Sequence, residues 1–512
     1  MLYTSTRNNN VRVESASAIA RGISADGGLY VSTEIPRIST EEFEAIAVMT
    51  YNERAAYVLS KFLTDFTAEE LSKCVADAYT GKFGGENIAP IESVNNSKYV
   101  LELWHGPTCA FKDMALQLLP HLLKTSVRKI SDGREIVILV ATSGDTGKAA
   151  LEGFKDVDGT KIIVFYPEDG VSNIQKLQMV TQEGGNVGVC AVKGNFDDCQ
   201  TGVKKIFTDP AIAEVLSENN MAFSSANSIN WGRLAPQIVY YISAYADMMN
   251  NGEIDYDGEK VNIVVPTGNF GNILAAYYAK LMGLPVGKLI CASNENNVLT
   301  DFINTGVYDR NRAFRTTMSP SMDILISSNL ERLLFHLSGG DSERVSRWMH
   351  ELSTTGRYEV DDDVKQQLSE MFCADFCNDE STQAAIREEY QSDGYLIDTH
   401  TAVAFSVYDK YVAATGDAGT PAIIVSTASP YKFSESVLGA VSEEILADNE
   451  FDIINELSVV SGTPIPAPLL NLRGKEVRFG DVCTAKDMKA QVFKMLGVEN
   501  NPKTRELVYA NA

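Results

Sequence analysis

Runs of consecutive apolar residues, not alternating ones, set the pattern of the middle of the chain. Ile136–Ala141 reads IVILVA, Lys161–Tyr166 KIIVFY, Val187–Val192 VGVCAV, Val261–Val265 VNIVV, Lys288–Ser293 KLICAS and Ala422–Thr427 AIIVST. Between them, segments such as Asn173–Thr181 and Leu234–Met249 carry the periodicity of helices. Strands without a polar face suit a parallel sheet covered on both sides. Their alternation with helices predicts an α/β protein with open parallel sheets. In such sheets a ligand binds at the carboxyl ends of the strands, near a switch point in strand order. The first 90 residues differ. Helical signals cover Thr40–Val48, Ala55–Leu63 and Ala68–Tyr79 with no comparable strand run, which predicts a separate, mainly helical N-terminal unit. The proline-rich stretch Ser461–Leu470 (SGTPIPAPLL) predicts an extended connector before a short amphipathic tail.

Composition narrows the class. A chain of 512 residues accommodates about three domains of ordinary size. Its net charge of −24 repels phosphate backbones and anionic lipid, so neither nucleic acid nor a membrane surface is expected as a partner. An anionic substrate must therefore be held by local cations against the global field. No apolar run is long enough to span a bilayer, and the opening MLYTSTRNNN lacks the charged-then-apolar pattern of a signal peptide. Eight scattered cysteines in so long a chain do not read as a disulfide framework, and a cytoplasmic location is expected. Cys373 and Cys377, four apart, could share a helix face, and core packing is the expected role. No metal-ligand spacing occurs among the cysteines or the five histidines.

Two strand–loop–helix junctions carry candidate chemistry. One runs through Thr142, Ser143, Gly144, Asp145, Thr146 and Gly147, the other through Gly268, Asn269, Phe270, Gly271 and Asn272. Glycines let each backbone turn tightly and present N–H groups to an anion, and the following helix adds its positive dipole end. Neither is a Walker loop nor a G-x-G-x-x-G dinucleotide fingerprint. Two such loops suggest two anionic groups, such as a cofactor phosphate and a substrate carboxylate. A third segment, LWHGPTCAFKDMALQLL, places Lys112 at the start of an otherwise apolar helix. Desolvation there favours the neutral amine, which can attack an aldehyde. On spacing alone, a lysine with its head in water is the commoner arrangement. The fourth segment is the buried strand that ends in Ser426 and Thr427.

Taken in order, the motifs resemble the threonine synthase family, pyridoxal-phosphate enzymes of the tryptophan-synthase-β fold. The matches are HGPTCAFKD at 105–113, ATSGDTG at 141–147, GNFDDCQ at 194–200, NSINWGR at 227–233, PTGNFGN at 266–272, SPSMDILISSNLERLLF at 319–335 and DTHTAV at 398–403. YTSTRN near the start is similar to the family's opening. Thr399 and Ser429 depart from it, where the family has Pro and His.

The resemblance implies a fold type II enzyme. Residues 1–90 would be the N-terminal unit, 91–460 a catalytic core of two α/β subdomains, and 461–512 a connector and tail. It implies pyridoxal 5'-phosphate as cofactor, held as a Schiff base by Lys112, which then serves as base and acid. Gly268, Asn269, Phe270, Gly271 and Asn272 would hold the cofactor phosphate, and Thr427 would sit beside the pyridine nitrogen. Ser143, Gly144, Asp145, Thr146 and Gly147 would bind the substrate carboxylate. Asn227, Ser228 and Arg233, with Lys148 as a further candidate, would hold the substrate phosphate. The implied reaction is a carbon–oxygen lyase reaction on a phosphate: O-phospho-L-homoserine and water give L-threonine and phosphate. The nearest alternative is a phospho-lyase or dehydratase of the same fold acting on another amino acid. Asp145, where dehydratases show Asn, argues against the dehydratase. A non-catalytic binding protein on this scaffold is disfavoured by the intact Lys112 and both anion loops. Oligomeric state is left open.

Overall fold

The computed structural model of the chain describes every residue except 86, 96, 143, 170, 256, 257, 443 and 510–512. The continuous apolar runs become the centres of two sheets. In one, six strands lie in the order Phe372–Phe376, Val286–Ser293, Val261–Pro266, Ala422–Ser426, Lys98–Glu102 and Ile91–Asn95, parallel except for the last. In the other, Val482–Thr484, Val187–Lys193, Thr160–Pro167, Glu135–Ala141 and Met221–Ser224 are all parallel. All six expected strands are present. Every side chain of Val261–Pro266 and Ala422–Ser426 is buried, as a strand covered on both faces requires.

The chain passes between the two sheets three times, within residues 103–134, 225–260 and 427–481. The facing carboxyl ends of the strands and these crossings enclose the site described below. The second crossing contains the helix Trp231–Asn250, buried along nearly its whole length. It packs on the N-terminal helix Tyr51–Phe62, and Arg54 of that helix reaches Asp247 at 2.6 Å.

The N-terminal helices Thr40–Ala47, Tyr51–Phe62 and Ala68–Tyr79 each open with a reciprocal capping box, from Ser39 and Glu42, Thr50 and Glu53, and Thr67 and Glu70. Ahead of them stands an antiparallel sheet of Tyr3–Ser5, Asn8–Val13 and Tyr30–Ser32, which the apolar pattern did not predict. Its central strand Tyr3–Ser5 and one outer strand, Tyr30–Ser32, are three residues long, too short to show a period, and the six residues of the other, Asn8–Val13, are mostly polar. The expected extended connector instead contains the end of the helix Glu450–Ser461 and the short helix Ala467–Leu470. Beyond it the tail adds the strand Val482–Thr484 to the edge of the five-stranded sheet. Cys373 lies on a strand, not on a helix face with Cys377, and all eight cysteines are free thiols. Among the described residues no helix is long and apolar enough to cross a membrane, and no cluster of side chains could hold a metal ion.

Candidate active site

Lys112 stands at the N-cap of the short helix Asp113–Leu116, in the first crossing. The preceding segment runs along the end of the strand Ala422–Ser426. Leu103 N donates to Ser426 O at 3.0 Å, Phe111 N to Thr427 O at 2.8 Å and Ser429 N to Cys109 O at 3.1 Å. These bonds put Lys112 beside Thr427, 6% exposed. Asp113 closes the turn by accepting the Thr108 amide and hydroxyl, both at 2.8 Å, and burial pushes its carboxyl up to about 7.

The Lys112 amine is 3.2 Å from Ser321 Oγ and 4.0 Å from Asp145 Oδ2, with its side chain 13% exposed. Burial lowers its pKa to about 8; Asp145 opposes that fall, and Lys432 and Arg233 add to it. The amine is therefore neutral in an appreciable fraction at neutral pH, as a nucleophile or base requires.

Asp145 opens the helix Asp145–Phe154 and is almost fully buried. Its Oδ1 is 2.6 Å from the ammonium of Lys432, itself wholly buried, and accepts from Gln175 Nε2 at 3.1 Å. Burial alone would raise its carboxyl; Lys432 and then Lys112 outweigh it and hold the group well below the usual carboxylate range. Lys432 also donates to Thr108 O at 2.9 Å, joining the third crossing to the first. Of the expected donors in this loop, the amides of Gly144 and Gly147 are both spent on Thr142 Oγ1, at 3.0 Å each. Ser143 lies outside the described residues. The side chain of Thr146 is half-buried at the start of the helix.

The second loop, Gly268–Asn272, links the strand Val261–Pro266 to the helix Gly271–Met282. Phe270 caps that helix with φ of 64°, in the left-handed region that a bulky residue adopts only under constraint. The constraint is visible: the carbonyls of Gly268 and Asn269 accept from Ser327 Oγ at 2.7 Å and Asn329 N at 3.1 Å. The loop's oxygens are thus pinned on the 327–329 turn, while the first amides of the helix have no intrahelical partner. A Cβ on Gly268 would lie 2.8 Å from Ser321 O. Asn272 accepts from Tyr240 and Tyr241 through Oδ1, at 2.5 and 2.6 Å, and its buried Nδ2 has no partner.

Arg233, in the first turns of Trp231–Asn250, is 4% exposed. Its Nη1 donates to Ala226 O at 2.6 Å, its Nε is without a partner, and it forms no ion pair with any described residue. Burial lowers its pKa to about 10. Near it, Ser228 Oγ is 3.4 Å from Ser328 Oγ, and Ser328 donates to Asn269 Oδ1 at 3.3 Å, so the 227–229 segment meets the second loop. Asn227 is exposed.

An anion cradle at a helix start, orphaned donors on Asn272 and Arg233, and a largely buried amine of lowered pKa together fit a phosphorylated aldehyde cofactor. Models of three protein families match the chain. Residues 2–79 match the threonine synthase N terminus, 88–361 the pyridoxal-phosphate dependent enzymes and 401–492 the threonine synthase C-terminal region. The threonine synthase of Pseudomonas aeruginosa is 38% identical over 85% of this chain and 90% of its own. The chain belongs to the threonine synthase family. A pyridoxal-phosphate-bound crystal structure of threonine synthase from Brucella melitensis superposes with a TM-score of 0.86 at 34% identity, covering 97% of this chain and 99% of that one. Human threonine synthase-like 1 is 42% identical over 83% of this chain. The chain spans 58% to 64% of the length of the threonine synthase-like 1 proteins it matches.

Within this threonine synthase fold the structure brings Lys112, Asp145 and Thr427 to one place, and joins the 227–229 segment to the phosphate-type loop. It does not bring Lys148, the further candidate for the substrate phosphate, there: that ammonium is buried, 3.0 Å from Glu152 and bonded to Gln182. Three groups were given no role of their own in the sequence. Lys432 stands six residues after the buried apolar strand Ala422–Ser426, in the segment that drew notice for its hydroxyls. Ser321 gives no local signal. Wholly buried Arg332 binds Tyr30 O, Asn329 Oδ1 and Ile229 O, tying the N-terminal sheet to the 327–329 turn and the 227–229 segment.

Proposed function

We propose that this chain catalyses the threonine synthase reaction, converting O-phospho-L-homoserine and water to L-threonine and phosphate. The observation that carries the reading is the pairing of a largely buried, low-pKa lysine with a buried arginine that has no carboxylate partner among the described residues. A protein of net charge −24 keeps an unneutralised guanidinium inside only at a cost that a bound dianion offsets.

Pyridoxal phosphate, held by Lys112 and by Gly268, Asn269, Phe270, Gly271 and Asn272, supplies an electron sink for negative charge at the substrate α carbon. Lys112 takes the α proton on its neutral amine and returns one later. Arg233, with Ser228 and Asn227, binds the substrate phosphate and stabilises it as it leaves the γ carbon. The 143–147 loop receives the substrate carboxylate through donors other than the Gly144 and Gly147 amides, and Asp145 is there the counter-ion shared by Lys112 and Lys432. Thr427 offers the ring nitrogen a neutral hydroxyl. Water supplies the hydroxyl at the β carbon, so the sum is hydrolysis with relocation of oxygen. The acidic surface fits a cytoplasmic enzyme acting on a small molecule, without nucleic acid or membrane.

The test is product identity after incubation of cofactor-loaded protein with O-phospho-L-homoserine. Threonine and phosphate in equal amounts are expected. Phosphate with 2-oxobutyrate would make the protein a deaminating phospho-lyase of the same fold instead, and no turnover would overturn the substrate.

A further inference from the structure

The buried polar network behind Ser321 has no part in the reading above. His400 and Asp398 are both nearly sealed from solvent, with side chains 3% and 0% exposed. Asp398 caps the helix Thr399–Thr415: Oδ1 accepts His400 N at 2.8 Å, and Oδ2 accepts Thr401 N at 3.3 Å and the Thr401 hydroxyl. The same Oδ1 is 2.9 Å from His400 Nδ1. On the far side of the ring, Nε2 lies 3.2 Å from the backbone N of Ser321. A backbone N–H only donates, so Nε2 is the acceptor; the proton then sits on Nδ1 and is given to Asp398. Both ring nitrogens are satisfied in one tautomer, and the carboxylate selects it.

Ser321 is the residue through which this pair meets the site. It sits on the turn Pro320–Met322, whose following Asp323 is anchored by Thr317 and Asn294. His400 grips the turn at its centre. The Ser321 hydroxyl is the one side-chain oxygen within hydrogen-bond distance of the Lys112 amine among the described residues, at 3.2 Å, with Asp145 standing off at 4.0 Å. The ring of Phe433, edge-on to His400 at 4.8 Å between centroids, leaves the imidazole little freedom to swing away.

We propose that Asp398 and His400 form a positioning pair that fixes the Ser321 amide and so holds the Ser321 hydroxyl on the amine of Lys112. The proposal rests on the reading of Lys112 as the base of the reaction. Loss of the Nε2 acceptor leaves a half-buried N–H unsatisfied and releases the turn, so Lys112 loses its one fixed hydrogen bond.

The experiment compares His400→Asn, His400→Gln, Ser321→Ala and the His400→Asn/Ser321→Ala double variant as cofactor-loaded proteins. It reads kcat and KM for phosphate release, the visible absorbance of the bound cofactor and the melting temperature. Gln can extend an acceptor to the Ser321 amide; Asn is too short. His400→Asn and Ser321→Ala are each expected to lower kcat about 10- to 100-fold with KM within about threefold. His400→Gln recovers most of the loss. The double variant falls no more than about threefold below Ser321→Ala, because His400 acts through that hydroxyl. All changes are read on protein whose melting curve is intact, and the two single variants perturb the cofactor absorbance alike. Losses that multiply in the double variant, or wild-type kcat and absorbance in His400→Asn, overturn the proposal. If the wild type fails to release phosphate, the reaction is wrong, yet the absorbance arm still decides the pair.

Discussion

Replacing Asp145 and Lys432 in turn should move the pKa of Lys112 in opposite directions. Asp145 Oδ2 is 4.0 Å from the Lys112 amine, and Oδ1 is 2.6 Å from Lys432. Unit charges 4 Å apart attract by about 4 kcal/mol at an effective permittivity near 20, equivalent to a change of about three in pKa. Reorientation of nearby dipoles leaves about one to two of that. Asp145→Asn removes the attraction and leaves Lys432 as an unshielded like charge; both effects lower Lys112 from its value of about 8. Lys432→Met removes the like charge and returns Asp145 wholly to Lys112; both effects raise it. The measurement is the rate at which an amine-acylating reagent modifies Lys112 of the cofactor-free protein between pH 5.5 and 10, located by peptide mass mapping. Only the neutral amine reacts, so the midpoint reports the pKa. Lys432→Met also strands a buried carboxylate at a cost of about 3–5 kcal/mol, so its melting curve accompanies the titration, and the Asp145→Asn/Lys432→Met pair serves as the neutral control. Midpoints that move the same way in both single variants, or an Asp145→Asn midpoint above the wild type's, would refute the account of the three charges.

Three further outcomes are expected. Arg233→Leu should raise KM for the phosphorylated substrate by about two orders of magnitude, with Arg233→Lys intermediate because it keeps charge without the fork; equal loss of kcat and unchanged KM would remove Arg233 from the phosphate. Gly268→Ala drives a methyl to 2.8 Å from Ser321 O, so cofactor affinity should fall about tenfold or more in an absorbance titration; unaltered affinity would show that the loop yields freely. His336, bonded to Tyr278 at 2.7 Å, is held by burial, and secondarily by Arg332, at a pKa of about 4. The unfolded chain binds its proton near pH 6.5, so the folded state's advantage is complete above that pH and is lost as pH falls through about 4, roughly 3 kcal/mol in all. His336→Gln should flatten the fall in melting temperature from pH 7 to pH 5, and parallel curves would dismiss His336 as its source.

The six central strands were legible because burial on both faces leaves each of them a nearly continuous apolar run. The short strands Tyr3–Ser5 and Val482–Thr484 left none, because three residues are too few to show a period and take their order from strands that pair with them. The site divides in the same way. Lys112 and the two glycine loops announce themselves locally, through an apolar setting and backbone freedom. The partnership of Asp145 with Lys432, the capture of Lys148 by Glu152 and Gln182, and the contact of Ser321 with Lys112 are tertiary facts. Lys148 shows the cost of reading charge from spacing alone. A lysine one turn into a helix after an anion loop looks like a ligand, and its i+4 glutamate neutralises it instead.

The three crossings between the sheets each carry one cation of the site: Lys112 on the first, Arg233 on the second and Lys432 on the third. The two sheets therefore cannot rotate against each other without changing the distances among these three charges. Any opening or closing of the cleft is at once a rearrangement of the electric field inside it. A charged guest has leverage over the shape of this fold that a neutral one of the same size lacks, and because all three charges are largely buried, salt in the medium does little to weaken that leverage.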